Sequence, residues 1–181
     1  KIEGNIRREE IDEIYDYLLK YGIEIDPNMD IRICGSYRRE KMLMNDIDVM
    51  ISHPNIITLE ETKNSSLMKR FIKLLFKKKL MVDNLTSLNV PTKFMGLCQI
   101  RNNPIRRIDI RFIPQESYYT ALLYFTGSKE FNRTMRTIAI DFGYTLNEYR
   151  LLNQNGIPFT VKSEKDIFNL LNMEYIPPTK R

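Results

Sequence analysis

Residues 46–51 read Asp-Ile-Asp-Val-Met-Ile, and this stretch decides the fold because charged and apolar side chains alternate along it. Successive side chains of a β-strand point to opposite faces, so Asp46 and Asp48 share one face while Ile47 and Val49 face a core. Such a pair of acids fits either a solvated strand face or a cation site. The residues around it decide between these alternatives.

Two further elements favour the cation site. A short strand predicted at 31–34 runs into Gly35 and Ser36, and a strand that ends in such a turn is a phosphate-binding geometry. Residues 107–112 alternate again and place Asp109 on the polar face of another strand. Carboxylates on strands about 4.8 Å apart can hold two divalent cations about 3.5–4 Å apart, the arrangement for in-line displacement at phosphorus. All-oxygen ligands suit Mg²⁺, and we expect Mn²⁺ to substitute for it.

Composition excludes several classes of protein. The 181 residues have 43% hydrophobic and 28% charged side chains, which is typical of a globular chain. Two cysteines and one histidine exclude a disulfide scaffold and a histidine-rich metal cage. No apolar run approaches the roughly 18 residues of a membrane span. The formal charge of +5 is compatible with a polyanionic partner but does not identify one.

The periodicity of the chain predicts strands in the first part and helices in the second. We expect a first helix at about 6–21, capped by Asn5 and ended by Gly22, and an amphipathic helix at 66–79 whose Lys69, Lys73 and Lys77 are typical of a solvated face. Beyond Pro114 we expect a β-hairpin at Asn155-Gly156. The remaining predictions are a strand pair at 80–90 and 93–100 and a helix at 118–124. We also expect a helix at 128–142, capped by Ser128, with a core stripe of Phe131, Met135, Ile138 and Phe142, and a last helix capped by Ser163 with Asp166.

Gly35-Ser36-Tyr37-Arg38-Arg39, with the acids at 46 and 48, resembles the nucleotidyltransferase signature. The chain as a whole resembles the X-family DNA polymerases, closest to the palm and thumb domains of DNA polymerase beta, from about Arg7 to Arg181. This implies an α+β fold, with a mixed-sheet palm flanked by helices and then a small helix-led thumb with a β-hairpin. We expect a preceding remnant at 1–6, the palm at 7–115 and the thumb at 116–181. The likeness is carried further by residues 92–99, 107–111, 124–128, 131–136 and 163–168.

The resemblance implies roles for individual residues. Asp46, Asp48 and Asp109 would be the catalytic metal ligands, with Asp109 nearest the primer 3′-hydroxyl. The triphosphate would be held by Gly35, Ser36, Arg39 and Asn45. The sugar and base of the incoming nucleotide and the nascent pair would contact Tyr124, Phe125, Gly127, Lys129, Asn132 and Arg136, with Tyr124 disfavouring a ribose 2′-hydroxyl. The DNA would contact Thr92, Lys93, Arg107 and Arg111.

Two of these positions depart from DNA polymerase beta. Asn45 stands where that protein has glycine, and Lys129 stands where it has an aspartate beside the incoming base. Relatives of this family usually carry a lyase domain and a helix-hairpin-helix segment ahead of this region. The first residue is Lys1 rather than Met, which favours a fragment lacking that portion over a minimal enzyme of the kind that large DNA viruses encode.

The sequence therefore predicts a DNA-directed DNA polymerase that uses two Mg²⁺ ions, deoxynucleoside triphosphates and primer-template or gapped DNA, in short-gap DNA repair. We expect a monomer in an intracellular setting, nuclear by resemblance or viral, without a membrane partner. Two alternatives remain: a template-independent or RNA-directed nucleotidyltransferase of the same fold, and a catalytically silent DNA-binding module. Retention of three acids beside a polyanion site argues against the silent module.

Overall fold

The computed structural model describes residues 3–181. Lys1 and Ile2, part of the segment predicted at 1–6, lie outside the described residues. The strands are β1 (Ile6–Arg7), β2 (Asp30–Ile33), β3 (Leu43–Met44), β4 (Ile47–Ser52), β5 (Met81–Asn84), β6 (Lys93–Cys98), β7 (Arg106–Phe112), β8 (Thr145–Leu146) and β9 (Leu151–Leu152). The helices are α1 (Arg8–Ile25), α2 (Gly35–Arg38), α3 (Leu59–Asn64), α4 (Leu67–Lys77), α5 (Tyr118–Thr126), α6 (Lys129–Asp141) and α7 (Glu164–Leu170).

A mixed five-stranded sheet forms the centre of the first part of the chain, in the order β2-β4-β7-β6-β5. β4 and β7 run parallel, while β2, β6 and β5 join antiparallel to their neighbours. The parallel register sets Asp48 directly beside Asp109. This mixed sheet with flanking helices confirms the predicted α+β class.

The two faces of this sheet have different partners. Ile47, Val49 and Ile51 of β4 are buried in one large cluster with the apolar sides of α1 and α4. The opposite face of β4 carries Asp48 and Met50, and Met50 packs in a smaller cluster with Leu122 of α5. Helix α5 therefore covers the part of the acid-bearing face around Met50. The carboxylates lie next to this covered part.

The second part of the chain has its own apolar cluster, which combines α6, α7 and the β8–β9 hairpin around Met135, Leu151 and Phe168. Ser128 and Ser163 accept hydrogen bonds from the backbone N–H of Phe131 and Asp166, which confirms both predicted caps. The division of the chain at residue 115 stays a prediction.

The first predicted helix is placed wrongly at both ends. Residues 6–7 form β1, which pairs with β3, and α1 runs from Arg8 through Gly22 to Ile25. Gly22 is buried, and a Cβ there would lie 2.5 Å from Ile31 Cδ1. The glycine thus permits close packing of α1 on β2 rather than ending the helix, a distinction that requires the neighbouring strand.

Two predictions in the second part are partly wrong. Phe142 follows α6 and is 39% exposed, and Ala139 is the buried residue on that turn. The β8–β9 hairpin turns at Asn147, whose side-chain oxygen accepts from two backbone N–H groups, and the sequence analysis missed it. The predicted turn at Asn155-Gly156 is present as well, with Gly156 at φ 75°. The predicted hairpin around it is limited to a single antiparallel β-bridge between Leu152 and Pro158.

The described residues contain both cysteines of the chain. Cys34 and Cys98 are both free and buried. Within residues 3–181 no helix is both long enough and apolar enough to cross a membrane.

Candidate active site

Three carboxylates converge where β4 and β7 run side by side. Asp46 precedes β4, Asp48 is its second residue and Asp109 lies in the middle of β7. One carboxylate oxygen from each of the three lies within 4.8 Å of the others. Asp46 is exposed, while Asp48 and Asp109 are half-buried. The sequence prediction that these acids share a face and meet across two strands is confirmed.

Burial and mutual repulsion make this cluster a site for positive charge. Burial raises the pKa of Asp48 to about 7, and the neighbouring carboxylates of Asp46 and Asp109 add to the rise. Although much of Asp46 is exposed, partial desolvation of its carboxylate within the cluster raises its pKa, and the charge of Asp109 adds to the rise. Three carboxylates that repel one another offer only oxygen donors, and such a donor set fits divalent cations of the magnesium type.

The raised pKa of Asp48 predicts a pH dependence of stability for the metal-free protein. Between the ordinary aspartate pKa and about 7, Asp48 is protonated in the native state but ionised in the unfolded state. The contribution of this protonation to the free energy of unfolding is fully present below the ordinary aspartate pKa and is lost as pH rises through the native pKa. Thermal unfolding from pH 4 to pH 8 in a chelator tests this. We expect Asp48→Asn to gain stability relative to the native chain as pH rises. A pH-independent difference would contradict it.

Gly35 brings the backbone against the acid cluster. Its φ is +58°, and a Cβ there would lie 2.4 Å from Asp48 Oδ2. Only glycine combines this left-handed conformation with so close an approach. The first turn of α2 therefore lies directly beside Asp48.

The change Gly35→Ala should displace either Asp48 or the start of α2. A displacement of about 1 Å at a reacting centre can lower a reaction rate by about 10²-fold. We therefore expect Gly35→Ala to lower the rate of the predicted nucleotide addition by at least that factor. Single-nucleotide addition is the measurement. The matched control is Gly156→Ala, where φ is also positive but no atom lies within 4 Å of the added Cβ. Equal activity of both variants would show that contact with Asp48 is unimportant.

Arg39 joins α2 to the end of α5. Its Nη1 donates to the carbonyl oxygen of Thr126 at 2.6 Å, and its Nη2 donates to Ser36 Oγ at 3.1 Å. Its Nε is buried and has no hydrogen-bond partner among the described residues. Buried guanidinium N–H groups usually have hydrogen-bond partners, so Arg39 leaves one donor unused in this conformation.

A cleft of about 580 Å³ lies between the acid cluster and the α5–α6 junction. Most of the residues predicted for catalysis and nucleotide binding line it. Thr126 and Ser128 line it as well, although no site role was predicted for them. The predicted residues in the lining are Gly35, Ser36, Arg39, Asp46, Asp48, Asp109, Arg111, Tyr124, Phe125, Gly127, Lys129 and Asn132.

The other predicted residues lie outside this lining. Asn45 is exposed, and its side chain lies beside Gly4. Arg136 lines a small neighbouring cavity with Tyr124 and Asn132. Arg107 Nε lies 3.4 Å from Asp109 Oδ1. Thr92 and Lys93 lie at the start of β6, where Lys93 pairs in register with Arg111 of β7.

Internal contacts hold the α5–α6 side of the cleft. Asn132 Nδ2 donates to the carbonyl oxygen of Tyr124 at 2.7 Å. The Arg111 guanidinium lies 4.8 Å from the centre of the Phe125 ring. These contacts fix the backbone that faces the carboxylates.

The sequence analysis missed a buried ionic network behind the cleft. Arg38 Nη2 donates to Glu164 Oε1 at 2.6 Å, and Arg181 Nη1 donates to Glu164 Oε2 at 2.7 Å. Arg38 also donates to Thr126 Oγ1 at 2.8 Å. These residues lie far apart in sequence, so no local pattern pairs them, although Arg38 belongs to the motif that the sequence analysis singled out.

Comparison with known proteins agrees with this arrangement. The family model for the DNA polymerase beta palm matches residues 5–115, and that for the DNA polymerase beta thumb matches residues 121–181. DNA polymerase lambda of Rattus norvegicus is 31% identical over 190 residues, covering 96% of this chain and 32% of the relative. DNA polymerase lambda of Arabidopsis thaliana is 28% identical over 201 residues, covering 99% of this chain and 37% of the relative.

A shorter match agrees with these two. DNA polymerase IV of Saccharomyces cerevisiae is 32% identical over 96 residues, covering 53% of this chain and 16% of the relative. The chain thus spans only about a third of the length of the two polymerase lambda relatives. The palm model alone covers more than half of the chain, and it includes the acid cluster and the Gly35 turn. The predicted resemblance is therefore confirmed, and the chain belongs to the X family of DNA polymerases.

Proposed function

We propose that this chain is the catalytic core of a DNA-directed DNA polymerase that adds deoxynucleotides to a primer 3′-hydroxyl and fills short gaps during DNA repair. The observation that carries the proposal is one cleft in which three carboxylates face Arg39 and the α5–α6 junction. In the reaction the primer 3′-hydroxyl loses its proton to solvent and its oxygen forms a bond to the α-phosphorus. The bond between that phosphorus and the oxygen bridging to the β-phosphate breaks, and pyrophosphate leaves.

Asp46, Asp48 and Asp109 would hold two divalent cations in this cleft. The all-oxygen donor set favours Mg²⁺, with Mn²⁺ as a substitute. Bound metal would lower the pKa of the attacking hydroxyl and offset the charge of the triphosphate. Asp109, in the middle of β7, would lie nearest the primer terminus. Arg107 Nε lies 3.4 Å from the Asp109 carboxylate and would thus be near the same terminus.

The triphosphate would lie along the start of α2. Ser36 and Arg39 contact each other and both line the cleft, so one phosphate would accept hydrogen bonds from the Ser36 hydroxyl and the Arg39 guanidinium together. Lys129 at the start of α6 lines the same cleft and would lie beside the incoming base. Asn45 lies outside the cleft lining, so its predicted role in triphosphate binding is the least supported of these.

Tyr124, Phe125 and Gly127 would contact the sugar, with Tyr124 disfavouring a ribose 2′-hydroxyl. For Asn132 to reach the minor-groove edge of the nascent pair it must release the Tyr124 carbonyl, to which it now donates. Arg136, in the adjacent cavity, would reach the template. Thr92, Lys93, Arg107 and Arg111 would contact the DNA backbone.

The proposal concerns this chain and not the whole length of its relatives. We place the palm at 7–115 and the thumb at 116–181, with residues 3–6 attached to the palm through the burial of Ile6. We also propose that the protein is a monomer that works inside the cell, either in the nucleus or as a viral enzyme.

Extension of a primer on DNA with a one-nucleotide gap, in Mg²⁺, tests this function. We expect templated addition of one deoxynucleotide, lost in Asp46→Ala/Asp48→Ala. Equal use of ribonucleotides, or addition that ignores the template base, would favour the other nucleotidyltransferases of this fold. Intact DNA binding without addition by the native chain would favour the silent binding module.

A further inference from the structure

Helix α4 presents a stripe of positive charge to solvent. Residues 69–79 contain six cationic side chains and no acid. Lys69, Lys73 and Lys77 recur at intervals of four on the exposed side of the helix. The members of this stripe are Lys69, Arg70, Lys73, Lys77, Lys78 and Lys79.

The stripe is largely free of partners. Among residues 3–181, Lys78 alone of the six forms an ion pair, with Glu24 at 3.9 Å. Arg70 Nε donates to the neutral Ser66 hydroxyl at 3.1 Å. A solvated helix face usually alternates charge signs or pairs them at i,i+4, and this one does neither. The uncompensated charge therefore favours an external polyanion.

An aromatic cavity adjoins the end of the stripe. It has a volume of about 180 Å³, and its lining includes Tyr17, Tyr21, Lys78 and Lys79. The two tyrosine rings are stacked, with centroids 6.0 Å apart and planes 17° apart. Lys78 Nζ lies 5.6 Å from the centre of the Tyr21 ring. Flat rings beside cations are the chemistry that binds a nucleobase together with its phosphate.

This surface lies on the far side of the sheet from the cleft. Phe71 and Leu75 of α4 are buried in the same cluster as Ile47 and Val49 of β4. Asp48 lies between Ile47 and Val49 and so points to the other face. The stripe faces away from the sheet, so the stripe and the carboxylates lie on opposite sides of it.

We propose that the α4 stripe and the tyrosine cavity form a second nucleic-acid site, which binds a single-stranded segment outside the catalytic cleft. The phosphates lie along Lys69, Lys73 and Lys77, whose positions are about 6 Å apart along the helix axis. One base enters the cavity beside Tyr17. The volume fits one base rather than a whole nucleoside triphosphate. Every nucleotide carries a flat base beside its phosphate, whereas the acidic side chains of a peptide carry no ring.

Binding of a fluorescent oligothymidylate to the native chain and its variants tests the site without requiring polymerase turnover, so it does not depend on the proposed activity. We expect Lys73→Glu/Lys77→Glu to weaken binding by about tenfold or more at low salt. The salt slope should fall by about 1.4, about 0.7 for each lost phosphate contact. The matched control is Lys165→Glu/Lys180→Glu, which changes the net charge equally on exposed residues elsewhere.

A second pair of variants tests the cavity. Tyr17→Ser should weaken binding about tenfold through loss of stacking, whereas Tyr149→Ser, at a tyrosine that is also 37% exposed, should not. Irradiation of an oligonucleotide that contains 5-iododeoxyuridine should label Tyr17 or Tyr21. Labelling confined to Tyr124 and Phe125 would overturn the proposal. Equal weakening by both lysine pairs, or equal competition by polyglutamate of matched charge, would overturn it as well.

Discussion

Asp109→Ala is expected to lower the rate of single-nucleotide addition by about 10³-fold or more while leaving the fold intact. Asp109 faces the cleft from the middle of β7, directly beside Asp48 in the parallel register. As a proposed metal ligand it supports several kcal/mol of transition-state stabilisation, and each 1.4 kcal/mol or so corresponds to about a factor of ten in rate. Single-turnover addition to a gapped DNA, at saturating nucleotide, is the measurement.

The fold should tolerate this change because Asp109 repels the neighbouring acids. Loss of its charge removes part of the repulsion that raises the pKa of Asp48, so the pKa of Asp48 should fall and thermal stability should not decrease. Asp83→Ala is the matched control, since Asp83 is exposed on β5 of the same sheet. Unaltered activity of Asp109→Ala would refute the assignment of this residue as a ligand.

Glu164→Ala should destabilise the protein by about 3–5 kcal/mol, the range for breaking a buried ion pair by removing one partner. The variant leaves Arg38 and Arg181 with no carboxylate, and the Arg181 side chain is fully buried. Burial by itself would raise the pKa of Glu164, but hydrogen bonds from Arg38 and Arg181 outweigh it and the pKa is lowered. Chemical denaturation at neutral pH is the measurement.

Two further variants separate the contribution of the buried ionic network from the loss of any surface ion pair or of side-chain volume. Glu116→Ala breaks a pair with Arg150 in which both side chains are about a third exposed, so its expected cost is at most about 1 kcal/mol. Glu164→Gln keeps the side-chain size and should still lose most of the stabilisation. Because the pKa of Glu164 is lowered, this stabilisation is present above the ordinary glutamate pKa and is lost as pH falls through the native value. A Glu164→Ala variant as stable as Glu116→Ala would contradict the role of the network.

Local periodicity was sufficient to predict the strands that carry the chemistry. The alternation in residues 46–51 and 107–112 fixes which side chains share a face, because the side-chain period of a strand is two whatever its neighbours are. Serine caps at 128 and 163 were equally predictable, since each bonds a backbone N–H only three residues away. The motif at Gly35–Arg39 then suggested the family, and the comparisons confirmed it.

Packing between distant segments decided the rest. Gly22 looked like a helix end, yet it lies inside α1 because Ile31 needs the space that a side chain would occupy. Glu164 looked like an ordinary residue in the first turn of a helix, yet it pairs with Arg38 across most of the chain.

The sequence by itself thus determined the three acids, the faces on which they lie and the turn that adjoins them. Only the tertiary structure decided that β4 and β7 are parallel neighbours in a register that sets Asp48 beside Asp109, and that Arg39 meets Thr126. Strand order and contacts between distant segments depend on how the whole chain packs, and local periodicity carries no information about that.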